Sequence, residues 1–272
     1  LGKIAASTGH GAFGLIFWQL VTCIVVLGAL TLIRGRGTGW RRAHLGFFCA
    51  VVLLGTVIPN FTFYTSIAKL PSGLMSIIIS TIPLIAFPIN LALGQDRFEP
   101  RRMLGLCIGL TGVLMIVLPQ SSLPDPAMLA FLPVAMIGPL CYALENTYVA
   151  RQGLGSLDAI SAMLGVSCVA TVLVGALMLA TGQFYLPGLT LPDAALAGSS
   201  ALHALLYATF VWLAARTGAV FASQSAYVTT LSGVIFAMIL LGERPSPWIW
   251  AAMAVLLGGM ALVKPRQREI PA

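Results

Sequence analysis

The chain is poor in charge and poorer still in acid. Of its 272 residues 8% are Asp, Glu, Lys or Arg, and only eight are acidic. Soluble domains carry about 25% charged residues, so a body of this size could not cover a water-facing surface. A soluble enzyme and a disordered chain are both excluded. Cysteine is scarce and unpaired: Cys23, Cys49, Cys107, Cys141 and Cys168 all fall inside apolar runs, with no CxxC spacing. That excludes a secreted disulfide scaffold and a zinc site, and the thiols read as small packing residues. There are three histidines, with no ligand-like spacing, so neither a metal nor a cofactor is expected. No HExxH, no GxSxG and no paired Asp on facing spans is present, which leaves no catalytic residue to name.

What the chain has is hydrophobic length. Hydrophobic residues make up 58%, and the mean hydropathy is +0.96. A helical membrane crossing needs about 20 apolar residues. Runs of that kind lie at roughly 13–33, 45–68, 71–94, 103–118, 127–150, 159–181, 194–215, 219–241 and 247–263. They are continuous, without the ten-residue alternation of a membrane β-barrel. The expected fold is all-α: a polytopic membrane helical bundle with nine visible transmembrane helices. The longest connections, Arg34–His44 and Gly182–Pro192, leave no room for an extramembrane domain.

The net charge of +7 does not point to nucleic acid, because the fifteen basic residues sit in loops and at span ends. Positive residues favour the cytoplasmic side. Placing the loop with Arg34, Arg36, Arg41 and Arg42 inside puts Arg97, Arg101, Arg102, Arg151, Arg216, Lys264, Arg266 and Arg268 inside too. Only Lys3, Lys69 and Arg244 then fall outside. The C-terminus of this multi-pass chain is expected to be cytoplasmic and Leu1 to be outside.

An internal repeat accounts for the odd span count. Tyr64–Gly94 lies over Trp212–Gly242 without a gap, which sets Thr81 over Thr229, Ser76 over Gln224 and Tyr64 over Trp212. Gly105–Pro119 lies over Ala251–Pro265, and Leu1–His10 over Val149–Asp158. The second half, 123–272, thus has five spans. The first, 1–122, shows four and the tail of another, so a tenth helix is expected ahead of Leu1. Two repeats of five spans joined head to tail have opposite orientation, the inverted-repeat architecture of many secondary transporters.

The helix ending in Gly242-Glu243-Arg244, the Gly-rich last span through Gly258-Gly259 and the run Ser80-Thr81-Ile82-Pro83-Leu84 resemble the drug/metabolite transporter superfamily. Within it the chain resembles the EamA-like ten-helix branch, and most of all bacterial aromatic amino-acid exporters. It departs from the pattern at Gly94-Gln95-Asp96, where Gly-Glu is usual, and at Leu231, which lies opposite Pro83. The resemblance implies export or exchange of small metabolites by alternating access without ATP hydrolysis. Proton-coupled export of other amino acids or drugs stays open, as does a membrane-embedded enzyme.

Polar side chains inside spans are expensive and face protein or water. Glu145 is the one acid well inside a span, with Tyr142 and Asn146 beside it. It reads as an ammonium-binding or proton-carrying group, or as a carboxylate snorkelling to a loop Arg. Ser200, His203 and Tyr207 form an i, i+3, i+7 stripe, read as a cavity wall or as interhelical hydrogen-bonding glue. Tyr64, Ser76 and Ser80 in the first half, with Trp212, Gln224 and Tyr227 in the second, complete the expected substrate-binding set. Aromatic faces with few hydrogen-bonding groups suit a small molecule with an apolar body and a polar head. Pro83 and Pro88 share one span and make it the expected hinge. Gly105, Gly109 and Gly112, with Ala254 and Gly258, offer close-packing surfaces for the bundle or for a weak homodimer. The expected partners are therefore a small-molecule substrate and the lipid bilayer.

Overall fold

In a bilayer each backbone N–H and C=O must be satisfied within the chain, and helices do this locally. The computed structural model describes residues 1–35, 37–94, 98–117, 126–188, 190–223 and 225–262. Side chains are described throughout these except at 102, 113, 116, 117, 126, 127, 150, 208, 210–223 and 225–229. The helices are α1 (Gly2–Ala6), α2 (Ala12–Ile33), α3 (Leu45–Val51), α4 (Ile58–Ile67), α5 (Ser72–Ile79), α6 (Ile82–Ala92), α7 (Pro100–Val117), α8 (Leu132–Gln152), α9 (Ala159–Ala180), α10 (Leu191–Ser223), α11 (Ser225–Leu241) and α12 (Pro247–Leu262). No strand occurs among the described residues. Five stretches are long and apolar enough to cross a membrane: Ala12–Ile33, Arg42–Ile67, Ser72–Ala92, Met128–Val149 and Ala159–Ala180. Shorter apolar helices follow at Met103–Gly112, Thr230–Leu241 and Pro247–Leu262. The protein is a polytopic helical membrane bundle.

Three spans depart from a plain helix. In the second, a π turn over Val52–Val57 separates α3 from α4, just ahead of Pro59. Proline removes a backbone donor and crowds the carbonyl four residues back, and a wide turn absorbs both effects. The third span is broken: α5 stops at Ile79 and α6 starts at Ile82. At the break the Ser80 hydroxyl donates to the Ile77 carbonyl at 2.6 Å, and the Thr81 hydroxyl to that of Ile78 at 2.7 Å. Pro83 consequently lies in the first turn of α6, where proline is tolerated, and only Pro88 is interior. The third departure is a continuation. The expected boundary near 216–218 is absent, and α10 runs unbroken to Ser223 over 33 residues, about 50 Å of helix. Arg216-Thr217-Gly218 contains no proline, and one interior glycine costs only about 1 kcal/mol. A polar triplet of that kind does not end a helix.

The chain divides into two compact units, each drawing on both halves of the sequence. One comprises Leu1–Ala68 and Tyr148–Trp212, the other Lys69–Thr147 and Leu213–Ala272. In the first unit α2 packs along α9, and both are 22 residues long. Cys23 and Leu27 meet Leu164 and Ala204 in its core. Gly165 lets α3 approach α9, since a Cβ there would lie 2.6 Å from Phe48 Cζ. Asp158 caps α9, accepting from the Ile160 and Ser161 backbone N–H at 3.0 and 3.1 Å. Gly182, at φ +66°, ends the same helix, and the Gln183 N–H reaches back to the Met178 carbonyl at 2.9 Å. This is the left-handed termination that glycine supplies cheaply.

In the second unit α7 packs on α12 and α5 on α11. The α7–α12 seam is backbone against backbone. A Cβ at Gly259 would run into the Gly109 N–H and lie 2.6 Å from the Gly105 carbonyl; one at Gly112 would lie 2.7 Å from the Leu256 nitrogen. The Gly105, Gly109 and Gly112 surface is therefore consumed inside the unit. Ala254 and Gly258 point away from that seam, both exposed. The α2–α9, α5–α11 and α7–α12 pairings each join spans that the sequence repeat lays over one another.

Candidate functional site

The first unit holds a buried polar pair. Gln19, on α2, and Tyr64, on α4, are 7% and 6% exposed, and the Tyr64 hydroxyl donates to Gln19 Oε1 at 2.8 Å. Such a pair is costly to break in an apolar interior, because a buried polar group that loses a hydrogen bond is not repaid by solvent. Ser66, two residues on from Tyr64, is fully buried, and its hydroxyl has no hydrogen-bond partner among the described residues. Gln19 is absent from the sequence-based set. A lone amide in a 22-residue apolar helix was the available signal, since it must find a partner.

The α10 stripe divides. Ser200 is buried, donating its hydroxyl to the Leu196 carbonyl at 2.6 Å, while the Cys23 thiol donates to the Ser200 carbonyl at 3.6 Å. His203 is exposed and Tyr207 half-buried, their ring centroids 6.0 Å apart. The serine belongs to the core; the two rings form a separate, more open surface.

In the second unit Glu145 is 3% exposed and Tyr142, one turn earlier on α8, is half-buried, whereas Asn146 is exposed. Consecutive helical residues lie about 100° apart, so Glu145 and Asn146 flank Tyr142 on either side of one face, the carboxylate toward the interior and the amide toward the outside. Ser76 packs into the α5–α11 crossing against Gly233 and donates its hydroxyl to the Ser72 carbonyl at 3.2 Å. Ser80 is 3% exposed, in the α5–α6 break. Gln224 and the side chains of Trp212 and Tyr227 lie outside the described residues.

Two loop networks in the first unit also carry polar groups. Tyr185 stacks on His10 with centroids 3.9 Å apart, and its carbonyl accepts from Trp18 Nε1 at 2.9 Å. Gln183 Oε1 accepts from the Phe13 N–H in the first turn of α2 at 3.0 Å. Asp193 gathers the Gly188 N–H, the Thr190 N–H and the Thr190 hydroxyl at 2.9, 3.2 and 2.7 Å. Burial, with the Asp193 charge second, pushes the Tyr185 hydroxyl up to about 12. The other network joins Arg34 to Asp158 at 3.5 Å and Trp40 Nε1 to the Ser161 carbonyl at 2.8 Å. Gln183 and Asp158 thereby satisfy N–H groups that the first turns of α2 and α9 leave unpaired. Among the described residues, no three His, Cys, Asp or Glu side chains gather as around a metal ion.

The model of the EamA-like transporter family matches residues 1–118. No curated protein matches the chain. A solved structure described as "Crystal structure of protein" is similar at a TM-score of 0.65 and 15% identity, covering 95% of this chain and 90% of that chain. A likeness at that identity is one of fold.

Proposed function

We propose that the protein is a secondary transporter that exports small zwitterionic amphiphiles, aromatic amino acids foremost, across a bacterial inner membrane. The family match over residues 1–118 supports a transporter of small metabolites. The observation that carries the substrate class is the charge of the interior. Among the described residues Glu145 is the one charged side chain in the buried set, and that set contains no Lys or Arg. An interior of this kind cannot compensate a phosphate or a nucleotide, because burying unpaired charge costs several kcal/mol or more. A carboxylate can receive an ammonium group, and the Tyr142 ring on the same helix face suits an apolar body.

On this reading the halves 1–122 and 123–272 are inverted repeats, the C-terminus is cytoplasmic, and transport proceeds by alternating access, as facilitated diffusion or exchange. The pairing of α2 with α9 and of α7 with α12 supports the repeat. Tyr64, Ser76, Ser80, Tyr142, Glu145, Asn146, His203, Tyr207, Trp212, Gln224 and Tyr227 are the proposed substrate contacts, with Pro83 and Pro88 in the moving span. Proteoliposomes loaded with a panel of amino acids test it. Saturable efflux of tryptophan or phenylalanine without a pH gradient is expected. Flux of phosphorylated substrates alone would overturn the reading. Strict dependence on a proton gradient, lost in Glu145→Gln, would replace it with proton-coupled export, which the burial of Glu145 keeps as the second reading.

A further inference from the structure

Glu243 follows Gly242, whose φ of +65° turns the chain out of α11. Its carboxylate reaches the start of α5, where Oε1 accepts from the Ser72 N–H at 2.7 Å and Oε2 from the Gly73 N–H at 3.0 Å. The acid that closes a second-half helix thus caps a first-half helix. The first N–H groups of any helix lack partners within it, and a carboxylate there is favoured by charge as well as by hydrogen bonding. α5 has particular need of such a cap. It is only eight residues long and is cut from α6 at Ser80–Thr81, so no continuous helix anchors it from beyond the break. Along its length it rests on α11, with Ser76 against Gly233 and Gly73 3.7 Å from Val234 Cα, measured to an added Cβ.

The repeat supplies an internal comparison. It lays Glu243 over Gln95, and Ser72 and Gly73 over positions 220 and 221. At those positions α10 is continuous through Ser223, so no helix begins there and no unpaired N–H groups await a cap. The repeat thus sets an acid that meets a helix start opposite a neutral amide in the other half.

We propose that Glu243 is a positioning residue: a tether that fixes the short helix α5 against α11 and so sets the placement of Ser76 and Ser80. The functional half of this rests on the reading of α5 as part of the substrate path; the tether itself does not.

The test uses the full-length protein in nanodiscs, comparing wild type with Glu243→Gln, Glu243→Ala and Ser72→Pro by backbone hydrogen exchange. Pro71 already has an extended backbone at φ −59°, ψ 140°, which a following proline requires, and proline is tolerated in a first helical turn. Ser72→Pro therefore breaks the tether from the opposite side. Exchange of the 72–79 segment should rise about tenfold or more in Glu243→Ala and in Ser72→Pro, and less in Glu243→Gln, which keeps one good acceptor. Exchange across α7 and α12 should not change, and Ser72→Pro should add little in the Glu243→Ala background. Unchanged exchange at 72–79, equal rises throughout the chain, or full additivity would each overturn the tether. A transport arm separates the two claims. With tryptophan as probe, the tether variants should raise the apparent KM at least fivefold while protein yield holds. A raised exchange with an unmoved KM would keep the tether and remove α5 from the substrate path.

Discussion

The hydroxyl of Tyr64 and the side-chain amide of Gln19 meet at 2.8 Å in a buried contact between α4 and α2. Both side chains are buried, so removing either one costs the other a hydrogen bond in an apolar interior. Tyr64→Phe and Gln19→Leu should each lower thermal stability in detergent. The double variant should lose less than their sum, with a coupling of about 0.6 kcal/mol and at most about 1.7, the average and the maximum found for polar contacts between membrane helices. Additive losses would mean that the bond contributes nothing.

The α7–α12 seam offers a sharper contrast, because two adjacent glycines have opposite surroundings. Gly259 abuts the Gly109 backbone, while Gly258 has nothing within 4 Å of an added Cβ. Gly259→Val should destabilise by about 1–3 kcal/mol through overpacking. Gly258→Ala should stay within about 0.5 kcal/mol of wild type. Equal melting temperatures for the two variants would contradict the seam.

At the head of α9 the prediction concerns pH. Burial raises the Asp158 carboxyl, but the Ser161 backbone and hydroxyl, the Arg34 guanidinium and the Ile160 N–H together hold it below the ordinary 3.8. A depressed folded-state value means stability that is present above about 3.8 and lost as pH falls through the folded value. Asp158→Ala should cost about 1 kcal/mol at neutral pH, as the loss of a helix cap does, and the gap from wild type should shrink below pH 3.8. A gap that instead widens on acidification would reverse the sign of the argument.

The broken third span separates its two prolines. Pro83 sits at the start of α6, where its missing N–H costs nothing, and Pro88 is interior. Pro83→Ala should leave the transport rate within about twofold, whereas Pro88→Ala should restore a helical hydrogen bond and slow turnover if that span moves. Rate measurements in proteoliposomes decide. Equal slowing by both would place the hinge at the first turn of α6 instead.

Much of the bundle was legible from apolar length alone. The runs read at 13–33 and 159–181 became α2 and α9 with ends shifted by a residue or so, because Gly and Asp punctuate them. The breaks inside spans were not legible. Ser80 and Thr81 can bond back to carbonyls in an intact helix as readily as at its end, so their side chains do not announce a gap. Arg216-Thr217-Gly218 reads as a loop for the opposite reason: its polar residues suggest a boundary where no backbone constraint enforces one. The candidate site was legible only as residue types. Glu145 and Asn146 are neighbours in sequence yet face different ways, and the partner of Tyr64 lies 45 residues away, beyond any local pattern. Glu243 stood out as part of a family-like motif, but its work at Ser72 depends on a contact 171 residues distant.

The π turn at Val52–Val57 has a consequence for the angular phase of its span. Phe48, which covers Gly165 on α9, and Tyr64, which reaches Gln19 on α2, are sixteen positions apart. On an unbroken α-helix that spacing is a rotation of about 160°, which would put the two rings on nearly opposite sides. Counting one residue as looped out by the wide turn brings the difference to about 60°. The turn works as a vernier between the two ends of the helix, so that both large side chains can face the same group of neighbours. Straightening the turn with all sixteen positions kept would therefore misaim one ring or the other, although every residue that touches either ring would still be present, whereas deleting one residue from 52–57 would leave a plain helix with the same phase of about 60°.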